Sequence, residues 1–431
     1  MAKLTNKRLA IIAIIGFSVF LRAHWLFDSS SGWTGDEISY DSLANRILTC
    51  QGFTLETGEP TAWRTPGFPL IVGLIYGMTG DDRGRARAIL AMLTGLTSLG
   101  VFWLCLALTK DTSIALLSAL GWESFLITNK LAGLLMGESS AALIFVCGLI
   151  LVVASSRRDS IILAGAAGLL FGFAVMIRAY LIFVPPGPFI WLLLEKKRRF
   201  AAVFLLSFSI VVGGWMTRNL ARLGEFTLST EGPEVVWLGN NAWARGSWPG
   251  EWMKEDSEQR KYLRARHPEY DGAGEVGKSR IYVREAIHQL THYPAHVLWL
   301  APRKIAIFFS PFSFWVNDWV YLALAPFSLI GVIHLWRLQA MRRVLWLTAA
   351  PIVGVMIVCL LTFGDPRFRH PVDPLIAILA SVGIVYLTRR AVSMAPGQGT
   401  PLKWRRRRLS ETGTPEPRSG TQSKVADVRQ A

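Results

Sequence analysis

The chain has 431 residues, of which 52% are hydrophobic, and it carries a formal net charge of +16. A soluble domain could not bury this much apolar surface, and apolar runs long enough to cross a bilayer recur along the sequence. Lys and Arg stand in short clusters between these runs, which is the pattern of cytoplasmic loops rather than of a nucleic-acid surface. The composition therefore indicates an integral membrane protein and no nucleic-acid partner.

Ten apolar segments are predicted to span the membrane as helices, which gives an all-α, multi-pass fold class. Two further apolar segments, 66–80 and 297–310, are short for a crossing, and the second carries Arg303 and Lys304 near its middle. The ten predicted spans are approximately 9–27, 88–108, 112–128, 138–154, 160–177, 179–195, 200–216, 319–337, 344–363 and 371–389.

The distribution of basic residues decides between two topologies. If both short segments crossed, the basic clusters at 157–158 and 196–199 would lie outside, against the positive-inside pattern. If neither crosses, those clusters are cytoplasmic, and the penalty is that Arg83, Arg85 and Arg87 lie outside. We therefore predict about ten spans in the inner (plasma) membrane, with both termini cytoplasmic. The two short segments are predicted to lie as interfacial helices on or in the outer leaflet.

This topology divides the chain into a membrane-embedded domain, 1–390, and a tail. The domain exposes the loops 28–87 and 218–296 and the short turn 364–370 on the external, periplasmic side. The tail, 391–431, is rich in Pro, Gly and Ser and contains "WRRRR" at 404–408, which predicts a disordered basic cytoplasmic segment that touches anionic membrane lipid. The sequence has no internal repeat of the kind that would indicate an inverted-repeat transporter.

The first polar cluster follows the first span, in "GDEISYDSLANRIL" (35–48), where the apolar residues have helical spacing. Asp36 and Glu37 stand at the start of this helix, where its dipole stabilises carboxylates. Asp36 is either an N-cap, worth about 1 kcal/mol, or a general base or cation ligand held just above the membrane. Spacing alone favours the cap.

The second cluster is the turn "GDPRFRHPVDP" (364–374). Arg367 and Arg369 lie on the external side, against the positive-inside trend, and a guanidinium fork suits a phosphate group. The alternative is ordinary snorkelling at the end of a span. Glu138, at the outer end of another span, either faces the same cavity or is an interfacial charge at a helix N-terminus.

The third cluster lies in the long external loop, around "VVWLGNN" (235–241). The ring of Trp237 and the amides of Asn240 and Asn241 are side chains that bind sugars by stacking and hydrogen bonding. The same Gly-Asn-Asn sequence also fits a tight turn.

Known motifs for metal or nucleotide chemistry are absent from the sequence. His288, His292 and His296 are spaced four residues apart, but Pro294 interrupts that helix and no acidic partner is placed for zinc. Phosphate-binding glycine loops, CxxC pairs and a GxSxG nucleophile are also missing.

Taken in order, several short motifs between residues 10 and 390 resemble the GT-C superfamily of polyprenyl-phosphate-sugar glycosyltransferases. The resemblance is to the group that contains dolichyl-phosphate-mannose–protein mannosyltransferases and aminoarabinose transferases. Two motifs depart from that pattern: "EGPEV" replaces the usual Asn-Gly-Gly-x-Asn, and the last motif has Asp365 and Phe368 in place of Glu and Tyr. The matching stretches are "GDEISYDSLANRILTCQGF", "RTPGFP", "MGESSAALIF", "WMTRNLARLGEFTLSTEGPEVVWLGNN", "RKIAIFFS" and "GDPRFRHP".

The resemblance implies a GT-C fold and transfer of a sugar from an undecaprenyl- or other polyprenyl-phosphate donor to a lipid, glycan or protein acceptor. It implies that Asp36 deprotonates or orients the acceptor and that Glu37 assists or binds a divalent cation, the one cofactor it allows. The residues it implies for donor-phosphate binding are Arg64, Lys304, Arg367 and Arg369. Those it implies for the substrate cavity are Tyr40, Glu138, Trp237, Asn240, Asn241 and Asp365.

Two other functions fit the same multi-span plan. A lipid-linked polysaccharide ligase or polymerase would take a lipid-linked glycan instead of a lipid-linked monosaccharide. A transporter would place charged residues at mid-span and break helices in matching halves. The carboxylates of this chain stand at the outer face, which favours an enzyme.

Overall fold

The computed structural model describes residues 2–27, 35–313 and 315–394, and it is built from α-helices joined by short turns and 3-10 segments. In those ranges the extended structure is limited to two isolated β-bridges, Thr54 with Pro60 and Phe312 with Asn317. The first nine α-helices are α1 (Ala2–Phe27), α2 (Gly35–Leu48), α3 (Gly67–Thr79), α4 (Arg83–Thr109), α5 (Thr112–Ser124), α6 (Leu126–Ala132), α7 (Gly137–Arg158), α8 (Ile161–Ile177) and α9 (Pro186–Leu194). The remainder are α10 (Arg198–Leu223), α11 (Glu231–Asn240), α12 (Glu258–Arg266), α13 (Glu275–His292), α14 (Pro294–Phe308), α15 (Trp319–Arg337), α16 (Arg342–Leu361), α17 (Pro366–Arg369) and α18 (Asp373–Met394).

The long apolar helices make this an integral membrane protein with an all-α fold, as the sequence predicts. Within the described ranges, six helical segments are long and apolar enough to cross a bilayer, and three shorter apolar segments accompany them. The total of about ten spans therefore stays a prediction. The six are Arg83–Thr109, Gly137–Arg158, Arg198–Leu223, Trp319–Arg337, Gln339–Leu361 and Pro366–Met394, and the shorter three are Gly67–Thr79, Ile161–Ile177 and Ala179–Leu194.

One end of the helix bundle, here called the basic end, gathers the turns that follow α4, α7 and α9. Lys197 pairs with Asp159 there, and Arg343 lies 2.9 Å from Glu195. The predicted tail 391–431 lies outside the described residues from residue 395 onward. The compact unit that contains the bundle ends at Leu387.

The opposite end, here called the site end, contains α2 and the first turn of α4. The arginines of that turn, which the topology places against the positive-inside pattern, are each bound to a carboxylate. Arg83 lies 2.7 Å from Asp41, and Arg85 lies 3.2 Å from Asp82, the N-cap of α4. The third, Arg87, lies 2.7 Å from Glu37. Each of these arginines is therefore held by a carboxylate at the site end.

Helices α3 and α14 correspond to the two short apolar segments of the sequence. With 13 and 15 residues and a rise of 1.5 Å per residue, they are about 20 and 22 Å long, less than the hydrocarbon core of about 30 Å. Gly73 brings α3 against the backbone of Ala44 in α2. These lengths agree with interfacial helices. That neither segment crosses the bilayer stays a prediction.

A charged pair that the sequence analysis did not anticipate lies inside the bundle. Arg22 of α1 donates to Glu123 of α5 at 2.8 Å and to the side-chain oxygen of Asn129 in α6 at 2.5 Å. Ser98 of α4 donates to the same carboxylate at 2.7 Å. Both charged side chains are buried, so four helices are joined through one ion pair with neutral hydrogen-bonding partners.

A small helical layer, here called the cap layer (231–292, α11 to α13), covers part of the site end. Its core is a set of aromatic and aliphatic side chains around Trp237, which is fully buried. Pro294 separates α13 from α14, as the sequence indicates, so His288 and His296 belong to different helices.

Candidate active site

Asp36 lies at the centre of the candidate site, in the first turn of α2. Its Oδ1 accepts a hydrogen bond from Arg64 at 2.6 Å, and its Oδ2 accepts one from Arg367 at 2.8 Å. Arg64 comes from the loop before α3, and Arg367 comes from α17, between two long helices. Although burial opposes ionisation, the neighbouring guanidiniums hold the pKa of Asp36 well below its usual range.

Glu138 continues the network on the other side of Arg367. The Arg367 Nε lies 3.3 Å from Glu138 Oε1, and Arg178, at the end of α8, donates to the other oxygen. Arg178 also donates to the hydroxyl of Tyr40 at 2.6 Å. The guanidinium carbons of Arg178 and Arg64 lie 5.3 and 5.4 Å from the centroid of the Tyr40 ring. The Tyr40 ring therefore lies within cation–π distance of two guanidiniums.

Glu231, the first residue of α11, binds Arg64 from the opposite side to Asp36. Both carboxylate oxygens lie 2.7 Å from one terminal nitrogen of Arg64. Glu275 of α13 fixes this loop, because its carboxylate accepts from the backbone of Ala62 at 2.8 Å and from the hydroxyl of Thr230 at 2.6 Å. The cap layer thus places Glu231 and Arg64 together.

Three carboxylates and three guanidiniums alternate through this site, here called the ion network, so its formal charge is zero. Its members are Glu231, Arg64, Asp36, Arg367, Glu138 and Arg178. The Nε atoms of Arg64 and Arg178 and the hydroxyl of Tyr180 are buried without a hydrogen-bond partner, whereas the Nε of Arg367 makes a salt bridge to Glu138 at 3.3 Å. Buried donors of this kind need an acceptor, and a phosphate supplies several. The arrangement is suited to binding an anion.

The divalent cation that the resemblance allows does not fit these residues well. Among the described residues, no group of three or more His, Cys, Asp or Glu side chains is placed to hold a metal ion. Both oxygens of Asp36 already accept from guanidiniums. The divalent cation stays a prediction.

Glu37 is not brought into the ion network, which corrects the role expected for it as an assisting group or cation ligand. It is fully buried, and its Oε1 accepts from Arg87 at 2.7 Å and from the backbone nitrogen of Leu135 at 2.8 Å. Successive residues of a helix point about 100° apart, so Asp36 and Glu37 face different neighbours. Glu37 holds α2 against α4 and the segment before α7.

Two of the four cations predicted to bind phosphate have other partners. Lys304 is fully buried and donates to Asn240 at 2.7 Å and to the carbonyl of Leu360 at 3.0 Å; burial lowers its pKa to about 8. Arg369 is 1% exposed and lies 2.6 Å from Asp373. Both predictions are corrected: Lys304 joins α14 to α11 and the end of α16, and Arg369 is sealed inside the bundle.

The sugar-stacking role predicted for Trp237 is also corrected. Its ring is fully buried, with centroids of Trp252 and Tyr282 at 5.6 and 5.8 Å. Asn240 and Asn241 are 1% exposed; Asn240 is the last residue of α11 and Asn241 is its C-cap, so the alternative prediction of a tight turn at Gly-Asn-Asn is wrong as well. Their surroundings are protein atoms, so the described structure assigns these three residues to packing.

Asp365 acts on the site through Arg367. It is the N-cap of α17, and its Oδ1 accepts from the backbone nitrogen of Arg367 at 2.8 Å. Burial raises the pKa of Asp365 above its usual value. The residue predicted to line the cavity therefore orients the short helix that carries Arg367.

Arg178 and Glu231 were missed at the sequence level. Arg178 stands between two predicted spans at the external end, so the reasoning that singled out Arg367 applied equally to it. Glu231 is one of several acidic residues in a long loop, and no spacing distinguishes it. Only the folded chain brings it to Arg64.

Glu234, one turn after Glu231, gives the cap layer a pH-dependent stability. It is 8% exposed, accepts from Trp252 Nε1 at 2.7 Å, and burial raises its pKa to about 7. When folding raises the pKa of a carboxyl, ionising that carboxyl lowers the free energy of unfolding. The loss grows as pH rises from the pKa of the unfolded state, near 4.3, to the pKa of the folded state. That cost is about 3 kcal/mol. Glu234→Gln keeps an acceptor for Trp252, so we expect a more stable cap layer at pH 8 and little change at pH 4.

Hydrogen-exchange mass spectrometry of the cap layer at both pH values measures this difference. The exposed Glu251→Gln variant is the matched control, and it should show the wild-type pH dependence. Equal protection of wild type and Glu234→Gln at pH 8 would contradict the prediction.

This helical architecture, with a polar site at one end of a membrane bundle, is the GT-C fold. The archaeal oligosaccharyltransferase AglB from Archaeoglobus fulgidus shares it, with a TM-score of 0.54, 13% identity and 93% of this chain covered. A second structure of the Archaeoglobus fulgidus oligosaccharyltransferase, in the apo form, gives a TM-score of 0.53, 13% identity and 89% coverage. The present chain spans about half of those chains, 53% and 51% of their lengths. At this identity the similarity establishes the fold alone.

ArnT from Cupriavidus metallidurans also matches, with a TM-score of 0.43, 13% identity, and coverage of 90% of this chain and 81% of ArnT. No protein-family model and no curated protein sequence matches this chain.

Proposed function

We propose that this protein is a membrane glycosyltransferase that transfers a sugar from a polyprenyl-phosphate donor to a lipid, glycan or protein acceptor. The observation that carries the proposal is the ion network, in which Arg64, Arg178 and Arg367 converge at the end of an apolar helix bundle. A donor with a hydrocarbon tail and a phosphate head suits such a place, because the tail stays in the bilayer while the phosphate reaches the guanidiniums.

The reaction follows from this placement of charge. The donor phosphate competes with Asp36 and Glu138 for the arginines and accepts from the unpartnered Nε atoms of Arg64 and Arg178. The acceptor attacks the anomeric carbon, the bond from that carbon to the phosphate oxygen breaks, and the electron pair passes to the phosphate. Guanidiniums already in place stabilise the charge that develops on the leaving group.

The site is proposed to face outward. The basic end holds the Lys and Arg clusters that mark cytoplasmic loops, and the ion network lies at the other end of the same helices. The arginines of α4 at this end are each salt-bridged to a carboxylate, and they remain the exception to the pattern.

The fold neighbours support this class of reaction. One structure of the Archaeoglobus fulgidus enzyme contains an inhibitory peptide and a dolichol-phosphate. Because that neighbour is an oligosaccharyltransferase, a second candidate is transfer of a lipid-linked oligosaccharide, as in a ligase or polymerase. That this chain uses a lipid-linked sugar and a lipid, glycan or protein acceptor is part of the proposal.

A transfer assay in proteoliposomes tests the proposal. Radiolabelled undecaprenyl-phosphate monosaccharides and undecaprenyl-linked oligosaccharides are offered separately, with host membrane extract as the source of acceptors. We expect label to move with the wild type, and Asp36→Asn to reduce the rate by more than about 100-fold. The reduction is expected because charge-assisted bonds to two arginines, each worth about 1.5–3 kcal/mol, are weakened.

The exposed Asp256→Asn variant is the control for loss of an acidic residue, and it should transfer at the wild-type rate. Equal transfer by Asp36→Asn and wild type would show that Asp36 has no part in the transfer. No transfer from either donor class by any of the proteins would contradict a glycosyltransferase and favour a transporter.

A further inference from the structure

The proposed transfer needs a group that takes the proton of the acceptor, and the geometry of Asp36 does not suit that task. Both of its oxygens accept from guanidiniums, at 2.6 and 2.8 Å. Its pKa lies well below the usual range because of those cations. A general base works best with a pKa near the working pH, so Asp36 is a weak candidate and a good anchor for two arginines.

Glu231 has the opposite properties within the same ion network. Its side chain is 28% exposed, compared with 23% for Asp36 and 0% for Glu138. Its two oxygens share a single nitrogen of Arg64, both at 2.7 Å, so Glu231 is bound by one guanidinium where Asp36 is bound by two. The backbone nitrogen of Glu231 is held by the hydroxyl of Ser229 at 3.2 Å, which fixes the start of α11.

We propose that Glu231 is the general base of the transfer and that Asp36 is a positioning residue for Arg64 and Arg367. This inference rests on the proposed function. The acceptor is a hydroxyl group: its oxygen forms the new bond to the anomeric carbon, and its proton passes to the carboxylate of Glu231. The bond between that carbon and the phosphate oxygen breaks, the phosphate keeps the electron pair, and Glu231 returns the proton to water after the product leaves.

Burial and the charged groups around Glu231 set the pKa of its carboxyl. Burial raises its pKa, and the charge of Asp36 raises it further, whereas Arg64 lowers it, followed by Arg178 and Arg367. The net direction is upward. Other titratable groups on or against α11 are Glu234 in the same helix, Glu275 and Tyr282 from α13, and Lys304 from α14.

Glu231 is also where this chain differs from the family that its motifs resemble. It opens the "EGPEV" segment that stands in place of Asn-Gly-Gly-x-Asn. An uncharged residue there would leave Arg64 with Asp36 alone among the carboxylates of the network. The base is therefore assigned from the contacts of this chain and not from the shared motifs.

The test is a pH–rate profile of the transfer together with binding of undecaprenyl phosphate, for wild type, Glu231→Gln, Glu231→Asp and the exposed control Glu251→Gln. We expect the wild-type rate to fall with acid at a pH above the ordinary glutamate value, because only the carboxylate accepts a proton. Glu231→Gln should lose about 100- to 10,000-fold in rate, along with that acid limb. It should bind undecaprenyl phosphate at least as well as wild type, because Arg64 loses a competing carboxylate.

Glu231→Asp should recover part of the rate and an acid limb, and Glu251→Gln should match wild type. A Glu231→Gln protein with more than a tenth of the wild-type rate and an unchanged acid limb would overturn the inference. So would a loss of rate matched by a loss of undecaprenyl-phosphate binding, which would make Glu231 a positioning residue. If wild type itself transfers no sugar, the proposed function has failed; if wild type and Glu231→Gln transfer alike, only the inference has.

Discussion

Arg22→Met is expected to reduce the free energy of unfolding by about 3–5 kcal/mol. The substitution leaves Glu123, which is fully buried, without the guanidinium that lies 2.8 Å away. Ser98 and Asn129 are neutral and cannot replace that charge. Denaturant titration in mixed micelles, followed by tryptophan fluorescence, measures the loss.

The double variant Arg22→Met/Glu123→Met separates the cost of an unpaired charge from the value of the pair. Because no charge remains buried, we expect the double variant to be more stable than Arg22→Met. Arg284→Met, with a side chain 63% exposed, is the surface control and should change stability by less than about 0.5 kcal/mol. If Arg22→Met also changed stability by less than that, the pair would not hold α1, α4, α5 and α6 together.

The same pair bears on the choice between enzyme and transporter. Charged residues inside spans are expected of a transporter, and Arg22 and Glu123 lie in two of the predicted spans. Their hydrogen-bonding partners are Ser98, Asn129 and each other, which joins α1, α4, α5 and α6. The Nε of Arg22 and the Oε1 of Glu123 are buried without a hydrogen-bond partner, as Nε atoms in the ion network are. The choice between enzyme and transporter therefore rests on the ion network at the site end.

The fold was largely predictable because it depends on composition along the chain. Apolar runs and basic turns indicate a helix bundle with two chemically different ends, and Pro294 correctly predicts a helix break. The motifs also predicted that Asp36, Tyr40, Arg64, Glu138 and Arg367 share one cavity, and the structure brings them together.

The errors arise where function depends on the direction of a side chain. Asp36 and Glu37 are neighbours in sequence, yet one meets two arginines in the site and the other meets Arg87 and a backbone nitrogen. Trp237 looked like a sugar-binding ring because it was assigned to a loop, whereas it lies in a helix and faces the core of the cap layer. When a helix is apolar all round, its sequence does not show which of its faces is buried.

The remaining omissions depend on contacts between distant parts of the chain. Glu231 and Arg64 are separated by 167 positions, and Arg178 and Tyr40 by 138. No local pattern encodes such pairs, because they form only when α8 and the cap layer pack at the site end.

Arg178→Gln is expected to weaken binding of undecaprenyl phosphate by about 10- to 100-fold. The change removes a guanidinium whose Nε is buried without a partner, and one charge-assisted hydrogen bond is worth about 1.5–3 kcal/mol. Arg303→Gln is the matched control, because Arg303 is an exposed arginine of α14 that stacks on Trp299 with 3.7 Å between its guanidinium carbon and the ring centroid. It removes the same charge outside the ion network and should leave the affinity unchanged.

Loss of folding would obscure that comparison, since Arg178 is a partner of the fully buried Glu138. The Glu138→Gln/Arg178→Gln protein removes one charge of each sign. The site therefore stays neutral, and no buried carboxylate is left without its guanidinium at this position. We expect the double variant to unfold near the wild-type midpoint and still to bind undecaprenyl phosphate more weakly than wild type. Equal affinity of wild type and the double variant, or equal weakening by Arg178→Gln and Arg303→Gln, would show that Arg178 contributes only general positive charge and does not contact the phosphate.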